Sequence, residues 1–421
     1  MTNTKRGFGL VLLTMLIDVA AMGMLIPVLP GTIVGLVGGD LATAAWLGGS
    51  VATLSAALSL FSAPILGSLS DRFGRRPILV LGLAGPAVTY LALALTPSVG
   101  WLIAGFALTG VLGAIQATTT AYVADITTPE DRAARFGMIG AAFGLGFVLG
   151  PVVGGLLGGI AQSLPFLVAA SITVLNLLLV VVAMPESLSV SKRRRFTLRG
   201  ASPIAPLCLL ARSRVLRGLA IAYLLTNVAN HALYNTFVFS TTARFGWSDL
   251  TTGVIFAVMG LAVAVAQGTV VGPIVKRLGE RRSILLGLAT SALAFVGYAV
   301  APSTWAIVAV IVIAAFGAMD EPAAQSMLSR EVGEDEQGAL QGALTSVMSL
   351  AAVIGPMVGS ATFGYFVSGA APVFLPGAPF LASAVLAVAA LLIVWRYVRP
   401  SEAHVPAGNV EDSAKELVEA A

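Results

Sequence analysis

The feature that most constrains this chain is a run of apolar stretches repeated from one end to the other, each close to the roughly 20 residues a helix needs to cross a bilayer. The segment from Leu164 to Ala183 is one of them, with no charged residue along its length. In lipid every backbone amide and carbonyl must bond within the protein, so only helices and closed barrels span a membrane. The runs are continuous rather than alternating, which excludes a barrel. A length of 421 residues would otherwise suggest two or three soluble domains. With 57% hydrophobic and 10% charged residues, the chain has too little charge to cover such domains. The expected fold is an all-α membrane protein of twelve transmembrane helices, at about 8–28, 43–65, 77–96, 100–122, 135–158, 164–184, 215–238, 249–272, 282–301, 304–326, 338–362 and 376–397.

An even number of spans puts both termini on one side. Placing them in the cytoplasm collects 23 of the 24 lysines and arginines on that side, leaving Arg244 as the exception. That is the positive-inside pattern of a multi-pass protein, here of an inner membrane. It explains the basic balance better than nucleic-acid binding does. The first apolar run lacks a small-residue cleavage site after it, so it is expected to stay as the first span. The lone Cys208 permits no disulfide within the chain. One connection is long, basic and polar. It divides the chain into a six-helix half at 1–184, a cytoplasmic central loop at 185–214, a second six-helix half at 215–397 and a polar, acidic cytoplasmic tail at 398–421.

The halves echo each other at one constant offset of about 205 residues. Gly67-Ser68-Leu69-Ser70-Asp71-Arg72-Phe73-Gly74-Arg75-Arg76 aligns with Gly272-Pro273-Ile274-Val275-Lys276-Arg277-Leu278-Gly279-Glu280-Arg281. Gly137 aligns with Gly342 and Gly150-Pro151 with Gly355-Pro356. Landmarks sharing one offset indicate duplication. Paired six-helix repeats are the layout of a large class of secondary transporters, whose substrate sites lie near the midplane between the repeats.

These residues carry a family resemblance. The loop from Gly67 to Pro77 is similar to the signature of the major facilitator superfamily, and Gly150-Pro151-Val152-Val153-Gly154-Gly155 is similar to the antiporter signature of its drug/proton antiporter branch. Ile17-Asp18-Val19, Pro27-Val28-Leu29-Pro30, Ala124-Asp125-Ile126-Thr127 and Gln337-Gly338-Ala339-Leu340-Gln341-Gly342 resemble the tetracycline/proton antiporters. The resemblance runs along almost the whole chain and implies drug efflux by alternating access, coupled to protons. It also implies that the loop holding Gly67, Asp71, Arg72, Gly74, Arg75 and Arg76 latches the cytoplasmic ends of the two halves when the protein faces outward, with Asp125 joining that network. The chain departs from the tetracycline group where Phe106 replaces an arginine, Thr89 an acid, Val263 a histidine and Ser291 an aspartate. Exporter function survives those departures better than tetracycline specificity does.

Read on their own chemistry, three carboxyls stand out. Asp18 lies near the middle of the first span, where a charge is costly and rarely kept without a role. Asp320 and Glu321 are adjacent inside the tenth span, next to Pro322. Neighbours on a helix point about 100° apart, so one can face a cavity while the other packs between helices. Two desolvated carboxyls side by side exchange protons readily, as a carrier requires. The competing reading of the pair is a helix break near Pro322 with both groups satisfied by backbone amides. For Asp18 it is a structural hydrogen bond. Asn227, Asn230, His231, Tyr234 and Asn235 fall on one helical face and suggest a wet cavity wall, against the alternative of interhelical hydrogen bonds. Gln116 and Gln325 are further candidates for substrate contact. Gly150, Pro151 and Gly154 suit a fifth helix that rocks against a neighbour, though static packing would use the same residues.

Neither a catalytic constellation nor a Walker loop is visible, so neither an enzyme nor ATP coupling is expected. Two histidines and one cysteine make a Cys/His metal site improbable, and no cofactor is expected. The expected function is a proton-coupled antiporter exporting small amphipathic compounds, acting as a monomer in the bilayer on a small-molecule substrate and protons. The rivals are a proton symporter or facilitator importing a nutrient, and a membrane sensor or intramembrane enzyme. The second is disfavoured by the lack of a sizeable soluble domain.

Overall fold

The computed structural model describes residues 2–113, 115–128, 130–193, 207–333 and 336–398. Twelve spans appear: α1 (Thr2–Leu36), α2 (Leu41–Phe73), α3 (Arg75–Leu95), α4 (Val99–Leu112 and Ile115–Asp125), α5 (Arg132–Gly158), α6 (Leu164–Ala183), α7 (Arg214–Phe245), α8 (Asp249–Val265, Ala266–Val271 and Gly272–Leu278), α9 (Glu280–Val300), α10 (Thr304–Gly317 and Asp320–Arg330), α11 (Gln337–Val367) and α12 (Ala378–Tyr397). Eleven are long and apolar enough to cross a membrane. The twelfth, α7, has the length but falls short in apolarity, because it carries Asn227, Asn230, His231 and Asn235. Most helices run past the apolar runs that announced them, since the first and last turns lie where headgroups and water tolerate polar side chains. The basic residues Arg194, Arg195 and Arg199 and nearly the whole predicted tail lie outside the described residues.

The central connection is more ordered near its end than a polar loop suggests. Leu207–Leu210 forms a helical turn, and Leu209 and Leu210 are buried in the core of the second half. Near its start, Glu186 caps α3. Its carboxylate accepts from the amides of Arg75 at 2.8 Å and Arg76 at 3.1 Å. The chain fits there because Gly74 has φ +108 and no side chain in the space Glu186 occupies. Gly279, at the matching place in the repeat, has φ +76.

Three spans depart from a single continuous helix. α4 stops at Leu112 and resumes at Ile115, and α10 stops at Gly317 and resumes at Asp320, so the breaks match at the repeat offset. The α10 break therefore precedes Pro322 rather than falling on it. Pro322 sits in the first turn of the new segment, where a missing N–H costs nothing. α8 carries a π-helical turn at Ala266–Val271.

Among the described residues the halves meet tightly at one end only. Away from the termini, α5 crosses α8 and α2 crosses α11. A Cβ on Gly155 would lie 3.0 Å from Leu250 Cα, one on Gly49 would lie 2.9 Å from Pro356 O, and Thr53 donates to Val353 O at 3.1 Å. At the end bearing the termini the same four helices splay. Gly67 of α2, Gly137, Gly140 and Gly144 of α5, Gly268 and Gly272 of α8, and Gly338 of α11 have nothing within 4 Å of where a Cβ would stand. Arg244, the cation outside the basic side, closes the far end of α9 by donating to Tyr298 O at 2.6 Å and Ala301 O at 2.5 Å.

Candidate functional site

A cavity of about 510 Å³ lies between the halves, walled by α7 to α11 with Phe143 of α5 facing in from the first half. α7 contributes Asn227, Asn230, His231 and Tyr234, spaced so that one face of the helix meets the cavity. The break in α10 brings Asp320 and Glu321 to its wall as the first two residues of the resumed helix. That position supplies unpaired backbone amides and the positive end of a helix dipole, both favourable to a carboxylate. Asp320 is buried and packs over Gly287 of α9, whose missing side chain makes room for it. Glu321 accepts from the Tyr223 hydroxyl at 2.9 Å and the Gln325 amide at 3.2 Å. A recess of about 30 Å³ beside Asp320, Glu321, Asn227 and Asn230 has room for water. Among the described residues no lysine or arginine lines the cavity.

The other predicted site residues divide clearly. Asn235 leaves the main cavity and lines a second one of about 170 Å³ with Tyr234, Phe106 and Phe239, where its buried Oδ1 has no hydrogen-bond partner among the described residues. Gln325 reaches the site through Glu321 rather than by lining the cavity. Gln116 is exposed on α4, at the repeat position matching Glu321, and lines neither cavity. Asp18 is half-buried on α1 and lines neither. Its side chain has no hydrogen bond among the described residues.

Sequence reading missed Tyr223, which binds Glu321 and stands 205 residues after Asp18. The repeat offset was the available signal. It also missed the apolar wall of Phe143, Met259, Phe295, Tyr298 and Met348, which carries no signal apart from the fold. Of the four departures from the tetracycline group, Val263 and Ser291 line the central cavity and Phe106 lines the second one. Thr89 is buried, donating to Gly85 O and Gly105 O at 2.8 Å each.

The loop residues assemble within the first half. The Arg75 guanidinium is nearly buried and donates to Asp71 at 2.6 Å, Asp125 at 2.9 Å and Ser70 at 3.2 Å. Arg76 donates to Val181 O, Arg72 stacks on Phe73 and Gly67 stands in open space. The second half repeats the pair with its charges exchanged: Glu280 and Arg330 meet at 3.2 Å at the positions matching Arg75 and Asp125. Removing Arg75 leaves two carboxylates without their shared cation. Arg75→Ala is expected to cost about 2 kcal/mol, below the figure for a fully buried pair because Asp71 and Asp125 are partly exposed. A lowered unfolding midpoint in detergent checks this, and an unchanged midpoint refutes it.

Gly150, Pro151 and Gly154 are packing residues in this state, and α5 runs unbroken through Pro151. A Cβ on Gly150 would lie 2.8 Å from Gly23 Cα, and one on Gly154 would lie 2.6 Å from Met24 Cα, so α1 and α5 touch backbone to backbone. Among the described residues no group of three or more His, Cys, Asp or Glu converges on a metal position.

The chain matches the Major Facilitator Superfamily over residues 11–267 and again over 219–419. It is 38% identical to the tetracycline resistance protein, class C, of Escherichia coli, over 83% of this chain and 88% of that one. It is 32% identical to the class B protein of Escherichia coli, over 82% and 86%. Among solved structures, the human organic anion transporter MFSD10 superimposes with a TM-score of 0.68 at 26% identity, covering 93% of this chain and 99% of that one. The nucleoside transporter NupG superimposes with a TM-score of 0.74 at 15% identity, covering 94% and 100%, a likeness of fold alone. With its two six-helix repeats, the interrupted helices α8 and α10 on the wall of a cavity between them, and these matches along nearly its whole length, the chain belongs to the major facilitator superfamily.

Proposed function

We propose that this protein is a proton-coupled antiporter that exports small amphipathic compounds, organic cations above all, by alternating access. The observation that carries this reading is the pair Asp320 and Glu321, set by a helix break on the wall of a cavity whose described lining holds no lysine or arginine. A carboxyl there can hold either a proton or the positive end of a substrate, and that competition couples the two. Phe143, Phe295 and Tyr298 supply apolar and π surface for the rest of a flat amphiphile. The resistance proteins among its relatives favour export over nutrient import. The altered cavity positions Val263 and Ser291 favour a substrate other than tetracycline itself.

The positive-inside pattern supports a topology with both termini in the cytoplasm of an inner-membrane protein. The splayed end then faces the cytoplasm, so the structure is the state that loads drug. Substrate enters and displaces a proton from Asp320 or Glu321, with Gln325 and Tyr223 holding the Glu321 carboxylate in place. Asn227, Asn230 and His231 line the way, and Asn235 with Phe106 lines the continuation toward the closed end. Asp18 is the matching proton site of the first half, and Gln116 the polar counterpart of Glu321. On switching, the far end opens about Gly150, Pro151 and Gly154, and the cytoplasmic ends close. Asp71, half exposed in this state, with Gly67, Arg72, Gly74, Arg75, Arg76 and Asp125 forms the latch of that closed state. The chain acts as a monomer.

The reading is tested with inverted vesicles from cells making the protein, offered three dyes or drugs of similar size: an organic cation, an organic anion and tetracycline. The cation is expected to accumulate and to leak back when the pH gradient is collapsed. Accumulation of the anion alone, or accumulation indifferent to the gradient, contradicts the proposal.

A further inference from the structure

Away from the transport cavity, a groove of about 690 Å³ opens on the outer surface between α7 and α12, at the end bearing the termini. Arg214, Arg217 and Ile221 line it from α7, spaced to share one helical face, and Ile393 and Tyr397 line it one turn apart on α12. Gly218 forms its floor: a Cβ there would stand 3.0 Å from Tyr397 Cβ, so the absent side chain lets the two helices approach and leaves the hollow. Both arginines are exposed and neither forms a salt bridge among the described residues. Their neighbour Arg212, by contrast, is taken by Glu336. They also occupy the first turn of a 32-residue helix, whose free amides add positive potential.

Nothing in the transport mechanism uses these residues. The groove is cationic at its mouth and apolar along its length, with Ile221 45% exposed. A soluble anion would use the arginines and leave the apolar wall in water. A phospholipid uses both, and an exposed tyrosine beside the headgroup level is the usual interfacial anchor. We propose that this groove binds one anionic glycerophospholipid, its phosphate between Arg214 and Arg217 and an acyl chain along Gly218, Ile221 and Ile393. Basic pockets between spans at the cytoplasmic face hold such headgroups in general.

The test uses the full-length protein in nanodiscs of phosphatidylcholine doped with phosphatidylglycerol, with retained lipid counted by native mass spectrometry and thermal unfolding followed in parallel. Wild type is expected to retain one phosphatidylglycerol and to unfold at a higher temperature when that lipid is present. Arg214→Gln with Arg217→Gln is expected to weaken retention by roughly 30-fold, taking each arginine's attraction to the anionic surface together. Arg277→Gln with Arg282→Gln removes the same charge from another exposed place and is expected to leave retention unchanged. Equal loss in both double variants, equal retention in wild type and the groove variant, or the same stabilisation by inorganic phosphate without the lipid each overturns the proposal.

Discussion

Replacing Asp320 by Asn is expected to reduce drug-driven proton movement in inverted vesicles to the level of vesicles lacking the protein, while leaving the protein inserted and folded. Asp320 is buried at the start of the resumed α10 segment, packed over Gly287 and open to the cavity. Asparagine keeps the size and the contacts with the helix amides but can neither release a proton nor balance a cation. Glu321→Gln is expected to do less, cutting transport by about tenfold, because Tyr223 and Gln325 still hold the side chain in place. Tyr223→Phe, which removes one donor from Glu321, serves as the comparison. Drug binding to each purified variant separates loss of coupling from loss of the site. Normal proton movement in both Asp320→Asn and Glu321→Gln removes the pair from the mechanism.

The second large effect lies at the closed end. A side chain on Gly253 of α8 would run into the Pro151 carbonyl of α5, with Pro151 C at 2.9 Å and Val152 Cα at 3.3 Å. These are backbone atoms and give way only if the helices part. Gly253→Val is therefore expected to destabilise the closed arrangement by about 2–3 kcal/mol, which is roughly 30- to 150-fold in the balance between the two states. The expected result is a protein that binds drug poorly from the end bearing the termini, transports little, and exposes a cysteine introduced in place of Thr53, on the α2–α11 contact, to reagents applied from the opposite side. If Gly253→Val transports at the wild-type rate, this contact does not seal the far end.

Much of the fold was legible because bilayer thickness imposes a length on each apolar run and the duplication imposes a shared offset. That offset reaches further than the aligned motifs: it pairs the breaks in α4 and α10, the left-handed Gly74 and Gly279, and the ion pairs Arg75–Asp125 and Glu280–Arg330. The polar face of α7 was legible for the same kind of reason, since 3.6-residue spacing fixes which side chains share a direction. What the spacing could not supply was the partner. Asn235 shares that face, yet the helix carries it beyond the main cavity into the smaller one beside Phe106. Gln116 is polar and near a helix break, yet it stands exposed away from both cavities. Gly150 and Gly154 announced close approach without naming α1, and the splay of one end against the closure of the other depends on contacts between helices far apart in sequence. Asp320 and Glu321 were conspicuous from the start, but only the break at Ala318 and Met319 shows why both sit at a helix N-terminus.

The most direct test of the account is proton release on binding, measured on purified protein in weakly buffered detergent solution with no membrane gradient present. Adding a saturating organic cation to wild type near neutral pH is expected to release protons as the cation replaces them at the α10 carboxyls. The variant carrying Asp320→Asn with Glu321→Gln is expected to release none, whatever cation it still binds. Binding of the cation to wild type, seen by fluorescence, with no proton released would contradict the competition between proton and substrate on which the proposed coupling rests.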